Sequence, residues 1–204
     1  MITIVDYGLG NIKAFSNMYK RLNIETQTAR SGDELAGATR IILPGVGHFD
    51  HAMELLDASG MRAELDDAVM NRKVPVVGIC VGMQILAETS EEGQRTGLGW
   101  IKGRVQSLRN LPIGNDMPLP HMGWNDVAPT RDFDLFAGLE TDARFYFLHS
   151  FYFAAANQNE VAAIASYGED FACVVQSGNV SGVQFHPEKS HHWGARLLKN
   201  FAET

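Results

Sequence analysis

A cysteine flanked by two glycines follows an apolar run in the segment Val76-Val77-Gly78-Ile79-Cys80-Val81-Gly82-Met83-Gln84. The run predicts a buried strand, and the glycines allow the sharp strand-to-helix turn of a nucleophile elbow. Such a turn places the Cys80 sulfur at a helix N-terminus, where the helix dipole favours a thiolate. It also aims the Val81 N–H at a developing oxyanion. The alternative interpretation is a small, buried and unreactive cysteine.

A histidine and a glutamate stand two residues apart near the end of the chain, in Phe185-His186-Pro187-Glu188. Pro187 biases His186 towards extended backbone, and in an extended segment residues i and i+2 face the same way. The Glu188 carboxylate can therefore lie beside the imidazole, fix its tautomer and stabilise the imidazolium. Together with Cys80, this pair predicts a Cys-His-Glu triad for nucleophilic catalysis.

The first half of the chain alternates strand and helix patterns. This alternation predicts βαβ units and an α/β fold with a mostly parallel central sheet flanked by helices. The segment Pro44-Gly45-Val46-Gly47 is expected to stop the third strand. The predicted strands are Ile2–Val5, Ile24–Thr28, Arg40–Leu43 and Val74–Cys80, and the predicted helices are Asn11–Leu22, Phe49–Leu56, Met61–Arg72 and Met83–Glu88.

The second half consists of strand-like runs separated by Gly, Asn and Asp turns, which predicts an antiparallel strand section added to the same sheet. The segment Ser177-Gly178-Asn179 is typical of a hairpin turn. We expect a single domain over residues 1–204. The predicted strands are Trp100–Leu108, His121–Val127, Arg144–Phe153, Val161–Ser166, Phe171–Gln176 and Val180–His186, followed by an amphipathic helix over Ser190–Phe201.

Charge and cysteine content exclude several classes of protein. The net charge of −7 over 204 residues and the lack of a Lys/Arg run argue against nucleic-acid binding. No apolar stretch approaches the roughly 18 residues of a membrane span, and the N-terminus does not resemble a secretory signal. Two cysteines make a poor disulfide framework, so we expect a cytoplasmic protein with Cys173 in its core.

The pair Gly8-x-Gly10 follows a predicted strand and opens a predicted helix, as in dinucleotide-binding fingerprints. The third glycine position of that fingerprint is occupied by Lys13. We therefore interpret the pair as a tight turn near the active site or an interface, and we expect no cofactor.

The two catalytic motifs together resemble the class I, or triad, glutamine amidotransferase family. Four further segments narrow the resemblance to the glutaminase subunits of imidazole glycerol phosphate synthases, and the match covers almost the whole chain: Asp6–Asn11, Pro44–Gly47, His121–Asn125 and His149–Tyr152. The resemblance implies hydrolysis of glutamine through a γ-glutamyl thioester. It also implies a (β/α)8-barrel cyclase partner, through which ammonia passes to a phosphorylated substrate in histidine biosynthesis.

The resemblance also assigns roles to individual residues. It makes Cys80 the nucleophile, His186 the acid and base, and Glu188 the orienting residue, with no metal. It places Val81, Val46 and Gly47 at the oxyanion hole, Gln84, Gly45, Ser150 and Phe151 at the glutamine site, and Met122, Trp124, Asn125 and Lys189 at the partner interface and ammonia exit.

Three alternatives stay open at this point. The segment His191-His192-Trp193 departs from the histidine-pathway pattern and resembles second copies of this subunit that feed sugar amidation for surface polysaccharides. A free-standing cysteine hydrolase acting on γ-glutamyl or peptide bonds would use the same triad. A zinc protein is the third, because His186, Glu188, His191 and His192 are all zinc-ligand types, although Pro187 interrupts regular ligand spacing.

Overall fold

The computed structural model describes residues 1–112 and 117–204. Its strands are β1 Ile2–Val5, β2 Thr26–Ala29, β3 Ile41–Gly45, β4 Val76–Cys80, β5 Thr89–Ser90, β6 Gly103–Ser107, β7 His121–Asp126, β8 Ala128–Pro129, β9 Arg144–His149, β10 Phe151–Ala155, β11 Val161–Tyr167, β12 Glu169–Ser177 and β13 Val180–Val183. Its α-helices are α1 Ile12–Arg21, α2 Gly32–Leu35, α3 Phe49–Ala58, α4 Arg62–Asp66, α5 Val81–Gln84 and α6 His191–Glu203. A π-helical turn over Asp67–Asn71 continues α4.

An eight-stranded sheet forms the centre of the fold, in the order β2-β1-β3-β4-β13-β12-β11-β8. The first five strands in this order are parallel to one another, and the last three join by antiparallel pairing. Strands β1, β3 and β4 are buried along their whole length, as expected for parallel strands covered by helices on both faces. The predicted α/β sheet with its antiparallel section is confirmed.

The hairpin between β12 and β13 has a two-residue turn, Gly178-Asn179. Gly178 adopts a positive φ of 56°, which costs a glycine little. The Asn179 side chain donates to the carbonyls of Val69 and Val74, both at 2.9 Å. The predicted hairpin is therefore confirmed, and its turn is also bonded to the connection that precedes β4.

The apolar segment predicted as one strand over Arg144–Phe153 is two strands that belong to different small sheets. Strand β9 pairs with β7, whereas β10 pairs with β6 in a sheet that also contains β5. Ser150 separates them, and its carbonyl accepts a hydrogen bond from the Leu108 N–H. The prediction of one strand was wrong because this run contains no glycine or proline to mark the break.

The helix predicted over Met83–Glu88 begins earlier and is a single turn. It starts at Val81 and ends at Gln84. Beyond it, the N–H groups of Leu86 and Ala87 bond to carbonyls three residues back, which is the tighter 3₁₀ pattern that often ends a helix.

Several strand ends also differ from the prediction, and two of them lie next to the site. Strand β3 continues through Pro44 to Gly45. Proline has no backbone N–H, but the pairing of β3 with β1 has already stopped at Ile42, so no hydrogen bond to β1 is lost at Pro44. Strand β13 ends at Val183, so His186 lies in the following loop rather than in the strand. None of the helices within the described ranges has the length and apolar character that a membrane crossing requires.

Candidate active site

Cys80 occupies a strained turn between β4 and α5. Its backbone has φ 56° and ψ −112°, a combination that few non-glycine residues adopt. The neighbouring glycines make the turn possible: a Cβ on Gly78 would lie 2.4 Å from the Gly82 carbonyl oxygen, and one on Gly82 would lie 1.9 Å from that of Leu43. The predicted elbow is present, and it places the sulfur at the first turn of a helix.

His186 and Glu188 form a buried pair beside this sulfur. The His186 Nδ1 lies 2.9 Å from the Glu188 Oε1, and both side chains are less than 5% exposed. Burial alone would lower the pKa of His186. Hydrogen bonds to the Cys80 sulfur and the Glu188 carboxylate, together with their negative charges, instead raise it to about 9. At neutral pH the ring is therefore an imidazolium that faces the sulfur.

The loop after β13 holds the His186 ring in place through its backbone. The His186 N–H donates to the Tyr146 carbonyl at 2.9 Å. The Ser190 hydroxyl donates to the His186 carbonyl at 2.6 Å and accepts from the Tyr146 N–H at 3.0 Å. These bonds attach the loop to β9, so the triad depends on contacts between segments about 40 residues apart.

A cavity of about 320 Å³ opens above the sulfur. Most of the predicted site residues line it, namely Val46, Gly47, Cys80, Val81, Gln84, Ser150, Phe151, His186 and Lys189. Gly45 instead packs beneath the wall, where an added Cβ would lie 2.4 Å from the Gly82 nitrogen. The missing side chain lets β3 approach the elbow, and the assignment of Gly45 to the glutamine site stays a prediction.

Five residues of the site were missed by sequence reasoning. Glu92, Pro120, Leu148 and His149 line the cavity, and Gln184 lies beneath it. The Gln184 Nε2 is 3.8 Å from the Cys80 sulfur, and its Oε1 accepts from the Gln84 Nε2 at 3.1 Å. Gln184 could have been predicted from the sequence, because it precedes His186 by two residues in extended backbone and so faces the same way. Glu92 is bonded to the Phe49 N–H and had none.

The Gly8-x-Gly10 turn supports the backbone of Pro44. Both glycines have positive φ, and an added Cβ on Gly10 would lie 2.6 Å from the Pro44 Cβ. The buried Tyr7 hydroxyl donates to the Pro44 carbonyl at 2.8 Å. The turn therefore packs against the start of the Pro44–Gly47 segment, next to the cavity.

Residues 3–204 match the family described as glutamine amidotransferase class-I. The chain belongs to this family. Proteins named imidazole glycerol phosphate synthase subunit HisH are 62% identical in Bdellovibrio bacteriovorus, over the full length of both chains, and 51% identical in Leptospira interrogans, over 99% of each. One named HisH 2, from Pseudomonas aeruginosa, is 42% identical over 100% of this chain and 99% of its own.

Solved structures of glutamine amidotransferases share the fold at low sequence identity. One crystal structure of a glutamine amidotransferase has a TM-score of 0.76 at 22% identity and covers 99% of this chain and 97% of its own. A glutamine amidotransferase from Thermotoga maritima has a TM-score of 0.62 at 16% identity, with coverages of 99% and 82%.

The residues predicted at the partner interface do not all lie on the same face of β7. Met122 and Trp124 on β7 point outwards, with 65% and 41% of their surface exposed. Asn125 points to the opposite face, where its Nδ2 donates to the Ser166 carbonyl at 2.7 Å. The period of two in a strand carries this information, so the sequence alone could have removed Asn125 from the exposed set. Lys189 is exposed, with its Nζ 5.7 Å from the Tyr146 ring centre.

The histidines of the zinc alternative are engaged elsewhere. His191 stacks on Trp124 with ring centres 5.3 Å apart, and His192 packs on Trp193. His186 and Glu188 are paired with each other. Within residues 1–112 and 117–204, no group of three or more His, Cys, Asp or Glu side chains is arranged to hold a metal ion.

Proposed function

We propose that this amidotransferase is the glutaminase subunit of imidazole glycerol phosphate synthase, which hydrolyses glutamine to glutamate and ammonia for histidine biosynthesis. The observation that carries the proposal is the buried Cys80–His186–Glu188 arrangement at the base of the cavity. The names of the relatives support the pathway.

The triad accounts for both halves of the reaction. The Cys80 sulfur attacks the γ-carbonyl carbon of glutamine, and negative charge moves to the carbonyl oxygen. The intermediate collapses, the C–N bond breaks, and His186 donates the proton with which ammonia leaves a γ-glutamyl thioester. Neutral His186 then takes a proton from water, whose oxygen attacks the thioester carbon. The C–S bond breaks, glutamate is released, and the Cys80 thiolate and the His186 imidazolium are restored. Glu188 keeps the ring oriented and stabilises its charged form in both steps.

The oxyanion is held at the junction of the elbow with the Pro44–Gly47 segment. The N–H of Val81, at the start of α5, provides one donor. A peptide N–H near Val46 provides the second when that peptide turns inwards, and Gly47, with φ 89° and open space around its Cα, allows the turn. The loss of one such donor typically costs about 10²–10³ in turnover.

The remaining cavity wall recognises the rest of glutamine. Ser150 and Phe151 supply backbone groups, and Gln84 supports them through its hydrogen bond to the Phe151 carbonyl at 3.1 Å. Glu92 contributes a carboxylate outside the triad, and we assign it to the α-ammonium group of the substrate. The cavity is small, in keeping with a single amino acid as the substrate.

The mouth of the cavity is the surface for the (β/α)8-barrel cyclase partner and the ammonia exit. Four exposed apolar side chains support this placement, at 37–65% exposure: Val46, Met122, Trp124 and Leu148. Exposed apolar residues grouped around a site are typical of protein interfaces. We further propose that residues 1–204 act as one cytoplasmic domain, since the central sheet takes strands from both halves of the chain.

The proposal is tested with Cys80→Ala in complex with the cyclase. The variant should lose glutamine-dependent synthesis of imidazole glycerol phosphate yet retain synthesis from added ammonium salts, because the thiol serves only to liberate ammonia. Cys173→Ala is the matched control, since Cys173 is fully buried in β12, and it should retain both activities. Substantial glutamate release by Cys80→Ala would refute the triad, and a wild-type complex that never uses glutamine would refute the function.

A further inference from the structure

A pair of buried histidines lies behind the glutamine pocket. His121 on β7 and His149 on β9 face each other across the small sheet, and both are at most 5% exposed. The His121 Nδ1 lies 2.9 Å from the His149 Nε2, and the His149 Nδ1 lies 2.8 Å from the Phe151 carbonyl oxygen. The Asn125 Nδ2 lies 3.3 Å from the remaining His121 nitrogen.

The partners fix where each proton sits. A carbonyl oxygen only accepts, so the His149 Nδ1 carries the hydrogen that points to Phe151, and its Nε2 must accept from the His121 Nδ1–H. The His121 Nε2 then accepts from Asn125. The amide orientation of Asn125 agrees, because its nitrogen donates to Ser166 and its oxygen accepts from the Asp126 N–H. Each donor in the chain has an acceptor, and the hydrogen bonds run in one direction.

Both rings are held in their neutral form. Burial lowers the pKa of His121 to about 4. Burial likewise dominates at His149 and lowers its pKa to about 3, because a second positive charge next to the His121 and His186 rings would also be unfavourable and these effects outweigh the hydrogen bond to Phe151. Aromatic rings enclose the pair: Phe147 and Tyr167 stack on His121 at 4.9 and 4.2 Å. Neither ring can carry a proton to substrate near neutral pH, because both nitrogens of each are already bonded.

The chain of hydrogen bonds continues towards the nucleophile. The Phe151 carbonyl accepts from both His149 and the Gln84 Nε2. The Gln84 Nε2 is also 3.1 Å from the Gln184 Oε1, and the Gln184 Nε2 is 3.8 Å from the Cys80 sulfur. One connected network thus runs from β7 to the elbow, and it passes through the wall where Ser150 and Phe151 line the cavity.

We propose that His149, supported by His121, is a positioning residue for glutamine binding: its Nδ1–H turns the Phe151 carbonyl into the protein, so that the outward backbone groups at the break between β9 and β10 are set to bind the substrate. The inference rests on the glutaminase function proposed above. It assigns to His149, which lines the cavity beside the triad, the task of shaping the wall, whereas the proton transfers belong to His186.

Two substitutions at His149 distinguish a positioning role from a part in the chemistry, because the amide group of each takes the place of a different ring nitrogen. His149→Asn places an amide N–H near the former Nδ1 and can still donate to Phe151. His149→Gln places its amide near the former Nε2 and leaves that bond unmade. In the complex with the cyclase, His149→Gln should raise KM for glutamine about five- to tenfold, the equivalent of one neutral hydrogen bond. Its kcat should change less than KM, and His149→Asn should recover most of the affinity.

Glutamine protection of Cys80 provides a readout of binding that needs no turnover. Iodoacetamide labels Cys80, bound glutamine slows the labelling, and mass spectrometry follows the modified peptide. His149→Gln should need a proportionally higher glutamine concentration for half-protection, while His149→Asn should stay close to the wild type. Synthesis from ammonium salts by both variant complexes shows that the proteins are folded and assembled.

Three outcomes would overturn the inference. Equal KM values for the two variants would show that the bond to Phe151 does not matter. A wild-type KM in both would remove any role in binding. A loss of kcat by orders of magnitude in both, with KM unchanged, would place His149 in the chemistry instead. All three are read against a wild-type complex that uses glutamine, so they are distinct from a failure of the proposed function itself.

Discussion

Glu188 and His186 are equally buried, yet the proposed mechanism gives them different tasks. In it, His186 transfers protons, whereas Glu188 orients the ring and stabilises its charge through the 2.9 Å hydrogen bond. In the complex with the cyclase, both variants should therefore lose turnover, and Glu188→Gln should retain about ten to a hundred times the turnover of His186→Ala. Steady-state glutamate release measures both variants, and circular dichroism checks that they are folded. Equal losses in two folded variants would give Glu188 a direct part in the chemistry.

The same substitution predicts a shift in the pH profile. The hydrogen bonds to the sulfur and to Glu188 hold the pKa of His186 at about 9, so the wild-type imidazolium persists up to that pH and is lost above it. Removal of the Glu188 charge lowers the pKa of the ring. The alkaline limb of kcat/KM should accordingly move to lower pH in Glu188→Gln, and an unmoved limb would contradict the assignment.

Residue-scale prediction from the sequence depended on how close the partners are along the chain. His186 and Glu188 are two residues apart, and Cys80 has its glycines beside it, so spacing alone indicated their chemistry. His149 depends on His121, 28 residues away, and Gln84 bonds to Gln184, 100 residues away. Contacts of that separation form only when the sheets assemble, and local patterns therefore do not report them.

At the scale of elements, the Pro44–Gly47 segment combines a fixed end with a free end. Tyr7 and Gly10 hold Pro44, and Gly45 packs on the elbow, whereas Val46 is 40% exposed. We therefore expect any reorientation of this segment to involve the peptides around Val46. These are the peptides to which we assign the second oxyanion donor.

A proline substitution tests that assignment. Val46→Pro removes one N–H, and the extended backbone of Gly45 in β3 suits the residue before a proline. In the complex with the cyclase, the variant should lose about 10²–10³ in kcat with KM nearly unchanged. Val46→Ala keeps the N–H and is the matched control for lost side-chain packing. A full rate in Val46→Pro would locate the second donor elsewhere.

The elements that were predicted correctly are those whose patterns are regular and locally bounded. The strand Ile2–Val5 and the hairpin at Gly178-Asn179 are examples. The break at Ser150 was missed because it is imposed from outside the segment: β9 is drawn to β7 and β10 to β6. An apolar run predicts burial, but the strand with which it pairs is decided by the rest of the fold.

At the scale of the whole molecule, the proposed site opens onto an exposed apolar surface. Val46 and Leu148 are exposed and line the cavity, and Met122 lies opposite Leu148 in the β7–β9 pair. The proposed second oxyanion donor is a peptide beside Val46. We therefore expect the isolated chain to hydrolyse glutamine barely above background. Addition of the cyclase with its phosphorylated substrate should raise kcat by about 10²–10³ or more, because the partner favours the competent orientation of that peptide.

Glutamate release measured for the chain alone, with the cyclase, and with the cyclase plus its substrate gives the three rates. A Trp124→Ala complex should need a higher cyclase concentration for half-maximal activation, since Trp124 is the one aromatic side chain among the four exposed apolar residues assigned to the partner surface. Full activity of the chain alone would contradict activation by the partner and favour a free-standing hydrolase.

The backbone of Cys80 has a further consequence, for conformational stability. With φ 56° and ψ −112°, the residue occupies a region that costs non-glycine residues about 1–3 kcal/mol. Glycine adopts such angles freely, so relief of this strain should stabilise Cys80→Gly relative to Cys80→Ala. Glycine also loses more conformational entropy on folding, and the net difference should be a free energy of unfolding about 1 kcal/mol higher for Cys80→Gly in urea titrations. Equal values would mean that the turn relaxes. Position 80 thus holds a residue that lowers the stability of the fold, since glycine would be more stable there.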